Sequence, residues 1–149
     1  MTARESKRIS VVLLDDNPSA RKRVVARIQA EPGVHVLAAS AGTAAALRTV
    51  RQTKPDLVLL NLRREGADSL TMAGALRGGA PESRVVIMGL EPMQANLMGF
   101  LRLGVCGFLM ANASFDTFLA TIHSVVRGIP VLPPELAHAL FAQIQQHHG

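Results

Sequence analysis

Apolar runs of four to six residues recur along the chain, and amphipathic segments separate them. Residues 9–14 (apolar apart from Ser10), 34–39, 57–60, 84–88 and 107–110 predict five strands. Asn17-Pro18 supplies a cap and a first-turn proline for a helix carrying Val24, Val25 and Ile28 on one face, which closes near Pro32-Gly33. Residues 42–54 predict an alanine-rich helix with Ala46, Leu47 and Val50 inward, ended by Pro55. A third helix is predicted over 69–77, ending at Gly78-Gly79. A fourth opens at Pro92, carries Leu97, Phe100 and Leu101, and stops at Gly104. Ser114 caps a fifth, in which Phe115, Phe118, Leu119, Ile122, Val125 and Val126 keep the i, i+3, i+4, i+7 spacing.

Strands that are apolar throughout are buried on both faces, so the pattern predicts a parallel sheet between two helical layers. Five β-α units fit a doubly wound α/β domain over residues 9–128, flavodoxin-like, with strand order 2-1-3-4-5. Residues 129–149 read as a linker with a short extra helix, amphipathic over 135–145 and polar from Gln145 onward.

Composition narrows the class. Hydrophobic residues make up 48%, which excludes a disordered chain, and no apolar run approaches the ~20 residues of a membrane span. The N-terminal eight residues lack the apolar stretch of a signal peptide. A single cysteine, Cys106, allows no internal disulfide, fits a reducing cytoplasm and reads as a small core residue. The net charge is +5, but its one dense cluster, Arg21-Lys22-Arg23 with Arg27, stands without Tyr or Trp to stack on bases. It reads as a solvated helix face suited to an acidic partner.

In such a sheet, ligands bind beyond the strands' C-terminal ends. The residues delivered there are Asp15 and Asp16, Asn61, Gly89 and Ala111. At these positions the chain resembles a response-regulator receiver domain (CheY-like). Residues 13–18, Leu-Leu-Asp-Asp-Asn-Pro, resemble its acidic-pair turn, 55–63 its phosphoacceptor strand, and 104–114 its fifth-strand signature. The segment Leu132-Pro133-Pro134-Glu135-Leu136-Ala137 is similar to the one that leads, in some receivers, to a LuxR/FixJ-type helix-turn-helix. DNA reading would then belong to a domain absent from this chain.

The resemblance implies a phosphoryl site whose chemistry this chain does not carry. Asn61 stands at the acceptor position, and an amide cannot form the acyl phosphate. Gly89 replaces the hydroxyl that would bond the phosphoryl group, Ala111 replaces the lysine that would neutralise it, and Phe108 fills the aromatic switch position. The expectation is an atypical receiver, a pseudo-receiver that signals through protein contacts and is not an enzyme. Restoring Asn61→Asp, Gly89→Thr and Ala111→Lys together should then return acyl-phosphate formation. Asp15 and Asp16 would be a weak Mg²⁺ site, with one of three anionic ligands lost. Otherwise Asp16 caps the first helix and Asp15 accepts from Asn61 or a backbone N–H, or Arg63 or Arg64 neutralises the pair. His123 lies on a polar helix face and no metal-ligand spacing includes it.

Two other functional classes remain. A conventional phosphorelay receiver, served by a sensor kinase, would need another acceptor such as Asp68 or Ser69. A nucleotide-binding enzyme is disfavoured because Asp15-Asp16-Asn17-Pro18 stands where a glycine-rich loop would follow the first strand. The fourth helix holds one charge over residues 92–103. Leu97, Phe100 and Leu101 suffice for its core contact, leaving Met93, Met98 and Leu103 outward. The expected partner or self-association surface comprises Met93, Leu97, Met98 and Leu103, with a homodimer through this face or through the first and last receiver helices.

Overall fold

A computed structural model describes residues 8–61, 66–91 and 97–148. Its five strands are β1 (Ile9–Asp15), β2 (Val34–Ser40), β3 (Leu57–Asn61), β4 (Arg84–Leu90) and β5 (Gly107–Met110). They form one parallel sheet in the order β2-β1-β3-β4-β5, as the β-α alternation predicts. The helices are α1 (Pro18–Gln29), α2 (Ala44–Thr53), α3 (Gly66–Gly79), α4 (Leu97–Arg102), α5 (Phe115–Val126) and α6 (Pro134–His148).

Alternation along the strands divides the core in two. Val12, Leu14, Val58 and Leu60 meet α2, α3, α4 and α6 through Val50, Leu76, Phe100 and Leu136. Val11, Leu13, Leu57 and Leu59 meet α1 and α5 through Ile28, Phe118, Ile122 and Val125. All five residues of β3 are buried, which is why this strand contains no polar side chain until its last position. Gly107 lets α5 approach the sheet closely: a Cβ there would stand 2.7 Å from Val125 Cγ2 and 2.9 Å from Val86 Cγ2.

Ser10, the one polar residue inside the first strand run, has a partner. Its backbone N–H and its hydroxyl donate to Asp56 Oδ2 at 2.9 and 3.1 Å, and Asp56 N–H donates back to Ser10 Oγ at 2.9 Å. This clamp closes the edge of the sheet opposite the site.

Beyond Gly128 the chain carries the expected extra helix and packs against the domain. Val131 N–H donates to Cys106 O at 2.7 Å and Phe108 N–H to Val131 O at 3.2 Å, so Val131 forms a parallel bridge along the open edge of β5. Helix α6 then runs to His148, well past the expected 135–145, and Leu136 is fully buried in the first core. Leu136, Ala139 and Leu140 provide an apolar stripe that the sheet face can bury, and that burial carries the polar residues after Gln145 along in helical form. Cys106 is half-buried and packs against the second core. Among the described residues no helix is long and apolar enough to cross a membrane.

Candidate functional site

Parallel pairing of β1 with β3 makes Asp15 and Asn61 the last matched pair at the C-terminal edge. Both are buried, Asp15 completely and Asn61 to 7% exposure. The Asn61 amide nitrogen donates to Asp15 Oδ2 at 3.1 Å, and the Asn17 backbone N–H donates to Asp15 Oδ1 at 2.9 Å. A carboxylate only accepts, so the amide's donor end must face it. The amide oxygen is thereby turned towards β4.

Asp16 does not cap α1. That role falls to Asn17, which directly precedes Pro18 and accepts the Ala20 N–H at 2.9 Å through Oδ1. Asp16 instead reaches across the edge, where Oδ1 accepts the Gly42 N–H at 3.3 Å.

Arg21 is a site residue that its place in a basic cluster concealed. Its Nη1 donates to the Asp15 carbonyl oxygen at 2.7 Å. Helical side chains lean towards the N-terminus, so a residue one turn past the Asn17 cap leans back over the end of β1. Position within the helix was the available signal. Arg63 and Arg64 lie outside the described residues.

Gly89 adopts φ +73°, and a Cβ built on it would lie 2.5 Å from Asn61 Oδ1. Here β4 slips against β5: Ile87 pairs with Phe108 but Leu90 with Met110, which leaves one extra residue on β4, a bulge. In the parent chain a threonine at 89 would have to enter left-handed backbone and displace the Asn61 amide. Ala111 is exposed, and its N–H donates to Leu90 O at 2.8 Å. Phe108 is 1% exposed and packs edge-on to Phe100, with centroids 6.3 Å apart and planes at 69°.

A magnesium ion, which the resemblance implies, does not fit this donor set. Both Asp15 oxygens already accept N–H groups, and an amide donor occupies the side where a cation would be held. Among the described residues no three His, Cys, Asp or Glu side chains gather at one point. An oxygen cage for a hard cation needs more than the pair Asp15 and Asp16.

The surface expected on the fourth helix is redrawn. Leu97 is fully buried and belongs to the core, so it is unavailable to a partner. Leu103 is half-buried against the same core, Met98 is half-buried, and Met93 lies outside the described residues. Leu101, expected inward, is 36% exposed. The helix ends at Arg102, and Leu103 N–H bonds both Gly99 O and Phe100 O. Elsewhere, Phe141 on α6 is 67% exposed. Of the alternative acceptors, Ser69 is 7% exposed on α3, and the Asp68 side chain lies outside the described residues.

A sequence profile described as the response regulator receiver domain matches residues 11–123. The chain belongs to that family. Among its relatives is "Probable transcriptional regulatory protein NarL" of Mycobacterium tuberculosis, 27% identical over 146 residues, which covers 98% of this chain and 68% of the relative. The nitrate/nitrite response regulator protein NarL of Escherichia coli K12 is 24% identical over 140 residues, covering 94% of this chain and 65% of that one. The solved receiver domain of the M. tuberculosis NarL superposes with a TM-score of 0.71 at 28% identity, covering 82% of this chain and 98% of that one. A LuxR-family two-component response regulator from Aurantimonas sp. SI85-9A1 superposes at 0.80 and 22% identity, covering 92% and 98%, and supports the fold.

At the strand ends this chain carries Asp15, Asp16, Asn61, Gly89 and Ala111, and the buried Asp15–Asn61 contact joins β1 to β3 through an amide.

Proposed function

We propose that this receiver is a pseudo-receiver: a signalling and protein-interaction module of a transcriptional regulator that works without accepting phosphate. The observation that carries the reading is the 3.1 Å bond from Asn61 Nδ2 to Asp15 Oδ2. It holds the strand ends together through an uncharged amide, where phosphoryl chemistry would need a carboxylate and a cation. Gly89 and Ala111 support it, since neither can bond or neutralise a phosphoryl group.

In this reading a partner or a second copy of the chain sets the conformational equilibrium in place of phosphate. Self-association runs through the α4 face or through α1 and α5, and DNA is bound by a separate domain, as in the wider family. The acidic pair gives no useful magnesium site.

Thermal melting with beryllofluoride and Mg²⁺ tests this. A phosphoryl mimic that binds the folded state raises the melting temperature by mass action. The pseudo-receiver melts at an unchanged temperature, and a rise of several degrees contradicts it.

A further inference from the structure

The truncated side chains at positions 89 and 111 border a cleft that the site chemistry does not use. It lies between the ends of β4 and β5, the side of α1 that carries Val24 and Arg27, and the start of α5, with a volume of ≈ 180 Å³. Its walls are apolar, formed by Val24, Met88, Met110 and Phe115 among others. One cation stands in this setting: the Arg27 guanidinium lies over the Phe115 ring, 4.5 Å from its centroid. The Arg27 side chain is exposed, and its fork of N–H donors can meet an anion at the cleft mouth.

We propose that this cleft is a binding site for a small carboxylate with an aromatic or branched apolar body. The size argues for a small molecule, since apolar cavities of about 150 Å³ take up benzene. Met88 supplies an adaptable wall and the Phe115 ring a flat one. The acid group is directed to Arg27, whose planar fork matches a carboxylate in two-point fashion. The start of α5 is a poorer place for it, because Asp116 already stands in that first turn. A net charge of +5 favours an anion over a cation at any such mouth. Gly89 lines the cleft and also abuts Asn61, so an occupant would sit against the wall of the Asp15–Asn61 pair. The proposal goes beyond the pseudo-receiver reading and does not depend on it.

The chain carries its own reporters. Met88, which packs with the second core, lines the cleft, whereas Met72 packs against the first core on the opposite sheet face. With methionine methyl groups labelled for NMR, phenylacetate should shift Met88 saturably and leave Met72 in place. Phenylacetamide, the uncharged analogue, should bind on the order of tenfold more weakly. Arg27→Met should reduce phenylacetate to the level of the amide, and Val24→Phe, which fills the cleft, should abolish both responses. Absence of a saturable shift, equal binding of acid and amide, unchanged binding in Arg27→Met, or equal movement of Met72 would each overturn the proposal.

Discussion

Asn61 and Gly89 are fitted to one another across β3 and β4. The amide oxygen of Asn61 lies 2.5 Å from the point a Cβ at residue 89 would occupy, and Gly89 sits at φ +73°. The hydrogen bond to Asp15 turns that oxygen towards Gly89, and the bare glycine leaves room for it. The amide at 61 and the missing hydroxyl at 89 are therefore two parts of one packing arrangement.

That fit makes Gly89→Ala costly in a way that depends on residue 61. Left-handed backbone disfavours alanine by about 1–2 kcal/mol, and the collision with Asn61 adds to it. In an Asn61→Ala background only the backbone part remains, so a double-mutant cycle by urea denaturation should give a coupling of about 1 kcal/mol. Additive effects would mean that Asn61 turns aside freely.

Asn61→Asp replaces the donor to Asp15 with a second carboxylate. The variant loses a buried hydrogen bond and faces like charge, which should cost about 1–3 kcal/mol at neutral pH. Mg²⁺ should recover part of that loss by supplying a cation between the two carboxylates. Melting temperatures with and without Mg²⁺ should separate in the variant and coincide in the parent chain.

Leu136 ties α6 to the first core. Leu136→Ala should destabilise the whole domain by about 2–4 kcal/mol in chemical denaturation, with one transition. A helix that merely trails the domain would leave the midpoint unchanged.

The α4 face gives a paired test of self-association. Leu101 is 36% exposed and Leu97 is buried, so Leu101→Asp should fold and shift the chain to monomer in analytical ultracentrifugation. Leu97→Asp should unfold it by burying an unpaired charge. A Leu101→Asp variant that associates as the parent does would remove this face from the dimer.

How far the sequence carried the reading varies by residue. The alternation of apolar runs with helical spacing was enough for the sheet and its order, because strands buried on both faces leave little else for the pattern to mean. The gathering of Asp15 and Asn61 followed from their common place at strand ends. The bulge at Gly89 had its signal in the glycine itself, which marks bulges inside strands, but the strand was read only as far as Met88. Arg21 was hidden by its basic neighbours, although its place one turn from the cap marked it. Leu101 and Leu103 both lie at the flanks of the inward face set by Leu97 and Phe100, where spacing alone does not decide which of them the core takes. The burial of Leu136 rests on the Val131 bridge to β5, a contact between segments that no local pattern encodes.

In the proposed function the Asp15–Asn61 pair excludes phosphoryl transfer. Intact-mass spectrometry of the chain after incubation with a small-molecule phosphoryl donor and Mg²⁺ tests it at every candidate acceptor together, Asp68 and Ser69 included. The predicted result is a single species at the unmodified mass, with the Asn61→Asp variant run in parallel to show what a carboxylate there adds. A phosphorylated species of the parent chain would contradict the claim, and the position carrying the label would show where the acceptor lies.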